Sequence, residues 1–126
     1  MNTKYTEEHV WARVDGADPA IATVGITTHA QETLGDIVFV ELPAVGKAIQ
    51  AKEVAGVVES VKTAADVFMP VSGEVTEVNE ELRADPSLAN TDPLGTGWFF
   101  KVRLSNPAEL ATLMDESTYL PFAKNA

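Results

Sequence analysis

The chain has 126 residues, no cysteine and a formal net charge of -10, and 45% of its residues are hydrophobic. This size and composition predict a single domain, over residues 1–126, with a core of its own. The acidic balance argues against a nucleic-acid partner, because such binding depends on clustered Lys and Arg, and the lack of cysteine excludes disulfide bonds, thiolate metal sites and a thiol nucleophile.

Five strands are predicted from segments rich in β-branched and aromatic residues that Gly and Pro separate. They cover residues 21–26, 37–42, 54–61, 73–78 and 98–104. The apolar residues of 54–61 and 73–78 do not alternate strictly, which indicates strands that bend or are covered on both faces. A sandwich or flattened barrel therefore fits better than an open sheet.

Two short helices are predicted before residue 90, one beginning at Thr28 and one near residues 85–88. Thr28, followed three residues later by Gln31, is typical of a capping box, and Gly35 is placed to end that helix after about two turns. Residues 85–88 combine a capping Asp with a proline, which predicts about one helical turn.

A third helix is predicted near the C-terminus. Asn106 supplies a capping side chain and Pro107 suits the first helical position. We therefore expect a helix over Ala108–Met114, with Leu110, Leu113 and Met114 on one face.

A short pattern, G-x-V-x-x-V, occurs at 56–61 and again at 73–78. Lys62 follows the first copy and Asn79 follows the second. A duplicated β unit that holds one lysine at a strand end predicts a lysine presented at a hairpin tip for covalent modification. The small residues 63–65 leave space for a modifying enzyme, whereas the plainer alternative is a solvated surface charge.

The segments around this lysine and along the chain resemble the H proteins of the glycine cleavage system. Seven segments match that family in its order and spacing: 5–11, 24–27, 30–31, 34–43, 59–62, 70–75 and 97–98. The resemblance covers almost the whole chain. It implies a mainly β fold, a lipoyl-domain-like barrel-sandwich hybrid with a few short helices including a C-terminal helix.

The resemblance also implies a function. In this family the lysine that matches Lys62 carries lipoate through an amide bond, and the protein is a carrier with no catalytic residues of its own. Its implied partners are a pyridoxal-phosphate glycine decarboxylase, which supplies the aminomethyl group of glycine, and a tetrahydrofolate-dependent aminomethyltransferase, which removes it. Dihydrolipoamide dehydrogenase, which reoxidises the arm, and a lipoate-attaching enzyme complete the set.

Several residues are candidates for the site that the resemblance implies. His29 and Asp66 match positions that the family uses in a cleft for the loaded arm, although a solvated histidine and a turn-closing aspartate are the plainer interpretations. Glu59, Ser60 and Val61, together with Asp66, are candidates for recognition by a basic partner.

One departure from the family lies near the N-terminus. The family usually has His-Glu-Trp, whose glutamate meets the amine of the cargo, whereas this chain has Val10 between His9 and Trp11. Strand alternation would place Glu8 on the face of Val10 and Glu7 on the other. We predict that Glu8 partly substitutes or that the loaded form is less protected.

Two other carrier functions stay open. An H-like protein could hand lipoate to other acceptor domains, and Val10 fits this relay because a relay needs no cargo carboxylate. A biotinyl or 2-oxoacid-dehydrogenase carrier would share the hairpin, but those favour Met on both sides of the lysine or Asp-Lys-Ala, and here Val61 and Thr63 flank Lys62.

Cellular location and metal content are predicted from absences in the sequence. The N-terminal residues lack a signal or transit pattern, and no apolar run approaches the ~20 residues of a membrane helix. We expect a cytoplasmic protein without a membrane segment. The two histidines have no ligand spacing, so no metal site is predicted.

Overall fold

The computed structural model describes residues 3–14 and 18–124. Its strands are β1 Thr3–Tyr5, β2 Val10–Val14, β3 Ile21–Ile26, β4 Ile37–Glu41, β5 Ala48–Ile49, β6 Val54–Ser60, β7 Ala64–Phe68, β8 Gly73–Val78 and β9 Phe100–Leu104. Its α-helices are α1 Thr28–Leu34, α2 Glu80–Ala84, α3 Leu88–Thr91 and α4 Glu116–Lys124, and a 3₁₀ helix covers Pro107–Thr112.

The strands form two antiparallel sheets. One has six strands in the order β1-β2-β3-β9-β8-β5, and the other has three in the order β4-β6-β7. The buried core contains side chains from both sheets, among them Val24, Val58, Val75 and Val102. The predicted mainly β fold with a few short helices is confirmed.

The two copies of the G-x-V-x-x-V pattern lie in different sheets, in β6 and β8. In each copy the glycine lies against the backbone of a neighbouring strand: a Cβ on Gly56 would collide with the carbonyl oxygen of Glu41, and one on Gly73 with that of Arg103. The repeat therefore reflects a close backbone approach that each sheet requires at this position.

The first predicted helix is present, but its cap is Thr27 rather than Thr28. Thr27 has an extended backbone, and its Oγ1 accepts a hydrogen bond from the Ala30 N–H at 3.2 Å, whereas Thr28 is already helical. Gly35 ends the helix as predicted, with φ of 83° and its N–H donating to the Gln31 carbonyl at 2.9 Å.

The C-terminal segment differs from its prediction. Asn106 caps a 3₁₀ helix that ends at Thr112, and Met114 instead forms a two-way backbone bridge with Tyr5. The helix predicted over Ala108–Met114 is wrong in type and extent. The C-terminal α-helix is α4, which carries Pro121 inside it.

The one-turn helix predicted after residue 85 corresponds to α3.

Among the residues that the structure describes, no helix is long and apolar enough to cross a membrane. In residues 3–14 and 18–124, no group of three or more His, Asp or Glu side chains is arranged to hold a metal ion.

Candidate functional site

Lys62 lies at the tip of the hairpin formed by β6 and β7, with Glu59 paired to Ala64 just before the turn. The Ser60 side chain folds this tip. Its Oγ donates to the Thr63 carbonyl at 3.1 Å and accepts from the N–H groups of Lys62 at 3.3 Å and Thr63 at 3.1 Å. The backbone of the tip is therefore fixed, while the Lys62 side chain is exposed.

A second contact fixes the hairpin from the side. The Val61 N–H donates to the Asp36 carbonyl at 3.0 Å, which joins the tip to the turn between α1 and β4. At Gly35 in the same turn, an added Cβ would lie 3.7 Å from Lys62 Cε, so the lysine stem passes over this glycine. The lysine is thus presented from a supported surface.

Asn90, in α3, holds that turn. Its Nδ2 donates to the Gly35 carbonyl at 2.8 Å and to Gln31 Oε1 at 2.9 Å, and its Oδ1 accepts from the Ile37 N–H at 2.8 Å. Sequence reasoning missed Asn90, because its partners lie 53 to 59 residues away along the chain and no local pattern marks them.

A cleft of about 430 Å³ lies between the hairpin and the other sheet. Val58 and Val67 line it from the hairpin, and Val10 and Ile26 line it from the six-stranded sheet. The walls are apolar, which suits a cleft that keeps water away from a chain lying in it.

Polar side chains are present in the same cleft. Three of the predicted site residues, Glu8, His29 and Asp66, contribute to its lining. Besides Lys62, the remaining candidates are Glu59, Ser60 and Val61, which lie on the hairpin and not among the lining residues. The candidates therefore divide into a cleft group and a group beside the lysine.

Glu7 and Glu8 lie in a turn rather than a strand, so the predicted placement of Glu8 by strand alternation is wrong. The His9 N–H donates to the Thr6 carbonyl at 3.1 Å, and His9 has a positive φ of 65°. This turn nevertheless brings Glu8 to the cleft, and Glu8 also lines, together with Glu7, a separate cavity of about 420 Å³ beside Lys52.

His9 is a cleft residue that sequence reasoning did not assign. Its ring lies 4.4 Å from that of His29, centroid to centroid, and its Nδ1 lies 2.6 Å from the Tyr119 hydroxyl. The same hydroxyl lies 2.8 Å from Thr27 Oγ1, so α4 is tied to the ends of β2 and β3 on the six-stranded-sheet side of the cleft. Burial lowers the pKa of His9, and the neighbouring His29 lowers this pKa further. The neighbouring His-x-Trp segment was the available signal.

Fold and site together define a β domain that presents one lysine on a rigid hairpin beside a cleft. The chain matches the family model described as glycine cleavage H-protein over residues 3–126. It therefore belongs to the glycine cleavage H-protein family.

Individual members of the family are also similar to this chain. The chain is 59% identical to a glycine cleavage system H protein of Chromobacterium violaceum over 92% of this chain and 89% of the relative. It is 53% identical to the one of Parvibaculum lavamentivorans over 97% and 95%. The crystal structure of a glycine cleavage system H protein from Mycobacterium marinum is similar, with a TM-score of 0.86 and 38% identity over 95% of this chain and 94% of the other.

Proposed function

We propose that this chain is a lipoyl carrier of the glycine cleavage system, with lipoate joined through an amide bond to Lys62 Nζ. The observation that carries the proposal is the exposed lysine on a tip whose backbone is held by Ser60 and by the Asp36 carbonyl. An enzyme can reach such a side chain while binding a surface whose backbone is held in one conformation by hydrogen bonds.

The residues present fit an attached lipoyl group. The Lys62 stem passes over Gly35 without obstruction, and the strand that follows the tip supplies Ala65 and Val67 to the cleft. These two residues follow the lysine by three and five positions, which is about 10–17 Å along a strand. An arm on Lys62 would therefore have an apolar groove on its own side of the molecule.

A lipoyl group supplies a disulfide that opens and recloses, a chemistry that a chain without cysteine lacks. The chain itself tethers, orients and shields, and takes no catalytic part. Its proposed partners are glycine decarboxylase, which provides the aminomethyl group of glycine, aminomethyltransferase, which receives it, dihydrolipoamide dehydrogenase and a lipoate-attaching enzyme. One tether serving several sites raises the effective concentration at each.

The cleft residues have distinct roles in this proposal. The apolar wall around Val10 and Val58 excludes water, and the carboxylates of Glu8 and Asp66 favour a cationic amine cargo. His9 has a lowered pKa, so near neutral pH its imidazole is uncharged and does not repel that cargo.

The test is the intact mass of the protein from lipoate-supplied cells. We expect one lipoyl increment on the wild-type chain and on Lys52→Arg, and none on Lys62→Arg. Lys52 is a matched control because it is also exposed and lies at the opposite end of β6. An increment that survives in Lys62→Arg, or its absence from the wild type while a known acceptor is lipoylated, would contradict the proposal.

A relay that passes lipoate to other acceptor domains is the second candidate. Val10 favours it, because this cleft residue places an apolar side chain where the family usually has a glutamate. Exchange of labelled bicarbonate into glycine with glycine decarboxylase separates the two functions, since a carrier supports the exchange and a pure relay does not.

A further inference from the structure

The outer face of the three-stranded sheet lies directly beside Lys62. In one row across this face, Phe39 of β4 is paired with Glu59 of β6, which is paired with Ala64 of β7. In a neighbouring row, Glu41, Val57 and Asp66 are paired in the same order, and Asp66, on the edge strand β7, borders both this face and the cleft. We call this surface the tip face.

An irregularity in β4 adds apolar surface to the tip face. The register between β4 and β6 shifts between Ile37 and Phe39, and the consecutive side chains of Val38 and Phe39 are 54% and 50% exposed. In a regular strand one of two successive side chains would point inward, whereas a bulge can turn both outward. Val61, next to the lysine, is 71% exposed.

Such exposure gives no benefit to folding. Apolar side chains at an edge strand favour unwanted association, and a cluster of them rimmed by polar residues is typical of an interaction site. β4 is an edge strand of its sheet. The bulge therefore indicates that Val38 and Phe39 are exposed for a partner.

The charge of the tip face defines that partner. Lys62 is the only basic residue between Lys52 and Arg83, and no Lys or Arg occurs from Thr33 to Gly46. The same three strands carry the carboxylates Glu41, Glu59 and Asp66 and no Lys or Arg, and Asp36 directly precedes β4. A complementary surface carries an apolar pocket rimmed by Arg or Lys.

We propose that the tip face is the docking surface for the enzyme that acylates Lys62, and that this enzyme receives Phe39 in an apolar pocket with a basic rim. This inference rests on the proposed function. Acylation requires Nζ itself to reach bonding distance, so the enzyme must cover the hairpin around it. Enzymes that act on the far end of a flexible arm are not held to this constraint.

The covalent step is the attack of Lys62 Nζ on the carbonyl carbon of an activated acyl donor, an acyl adenylate of lipoic acid. The amide C–N bond forms, the acyl–phosphate bond breaks, AMP leaves, and the protons that the ammonium loses pass to solvent. Docking on the tip face contributes to binding of the carrier and not to this chemistry, so it determines KM rather than kcat.

The first test compares Phe39→Ser with Val45→Ser in acylation by a lipoate-attaching enzyme supplied with lipoate and ATP. Val45 is a control because it is also an exposed apolar side chain, 61% exposed, but lies between β4 and β5 away from the tip face. We expect Phe39→Ser to raise the KM for the carrier about tenfold with kcat unchanged, as the loss of an aromatic anchor does in other interfaces. Val45→Ser should match the wild type.

The second test addresses the charge. Glu41→Lys should raise KM and weaken its dependence on ionic strength. The substitution replaces a carboxylate of the tip face by a positive charge, which the basic rim of the partner repels. Glu74→Lys is the matched control, as Glu74 is also exposed but lies on β8 in the other sheet. It should leave KM near the wild-type value.

A measurement on the unaltered chain completes the test. On binding of the enzyme, amide hydrogen exchange should slow in residues 37–41 and 57–66 and stay unchanged near Val45. A Phe39→Ser variant with wild-type KM, or unchanged exchange in 37–41, overturns the docking inference and leaves the role of Lys62 intact. A wild-type chain that is not acylated at all overturns the proposed function instead.

Discussion

Asn90 is predicted to control how firmly the lysine hairpin is held, although it lies in α3 and its side chain hydrogen-bonds to Gln31, Gly35 and Ile37. Its three hydrogen bonds fix the turn whose Asp36 carbonyl accepts from the Val61 N–H. Replacing it by alanine removes all three. At about 0.5–1.5 kcal/mol for each bond, Asn90→Ala should lower the free energy of unfolding by roughly 1.5–4.5 kcal/mol.

Global destabilisation alone does not establish the effect on the tip, so a matched control is needed. Asn79 also uses its whole amide group: Nδ2 donates to the carbonyls of Thr96 at 2.8 Å and Trp98 at 2.7 Å, and Oδ1 accepts from the Leu82 N–H at 3.4 Å. Asn79→Ala should therefore destabilise the fold by a similar amount, while the turn that supports Lys62 stays in place.

The assay is amide hydrogen exchange of Val61 under conditions where both variants are folded, with urea unfolding to match their stabilities. We expect exchange at Val61 to be faster in Asn90→Ala than in Asn79→Ala, because only the first releases the Asp36 carbonyl. Acylation of Lys62 should be slower in the same variant. Equal Val61 exchange in two variants of equal stability would refute this reasoning.

Three further predictions concern the cleft and the repeat. Val10→Glu should slow the loss of the amine cargo from the loaded carrier, because it returns a carboxylate to the cleft. Equal rates of hydrolysis of the aminomethyl adduct in the variant and the wild type would contradict this prediction. The pKa of His9 is lower in the folded protein than its usual 6.5, so the unfolded chain takes up the proton first and the free energy of unfolding should fall as the pH drops below about 6.5. Urea unfolding from about pH 7 to pH 5 should show a smaller decrease for His9→Gln than for the wild type, and an equal decrease in the two proteins would contradict this. Gly56→Ala should lower the free energy of unfolding by about 1–3 kcal/mol or more, measured by urea unfolding, because its Cβ would collide with the Glu41 carbonyl; a change below about 0.5 kcal/mol would show that the strands adjust freely.

The place of Lys62 at the end of a strand could be predicted from the sequence because its signals are local, whereas the returning strand β7, Ala64–Phe68, was not predicted and the second copy of the repeat lies in the other sheet. The G-x-V-x-x-V repeat, the lysine at its end and the small residues after it stand within one short stretch, and β3 and β8 have the predicted bounds. Gly35 likewise ends α1 through a positive φ that glycine readily adopts. Local conformational preference was sufficient for these features.

Elements that depend on distant contacts could not be predicted in the same way. The strand β2 shows no alternation, because Val10, Trp11 and Ala12 are all buried. The helix α4 contains Pro121, which argues against a helix from local propensity, yet its Tyr119 packs on Tyr5 with ring centroids 4.6 Å apart. Tertiary packing outweighs local preference in both elements.

The cleft residues also depend on contacts between distant parts of the chain. Glu8 reaches the cleft through a turn rather than through strand alternation, so its position depends on the positive φ of His9. His9 and Asn90 take their places from contacts with α4 and with the turn between α1 and β4, which no local pattern records.

The central claim, that Lys62 carries the working arm of a glycine cleavage carrier, is tested most directly by exchange of labelled bicarbonate into glycine with purified glycine decarboxylase. The lipoylated wild-type chain should support an exchange rate that saturates with its concentration, and Lys62→Arg prepared under the same conditions should give only the rate of the decarboxylase alone. Equal stimulation by the two proteins, or none by a wild-type chain whose mass shows the lipoyl group, would contradict the account.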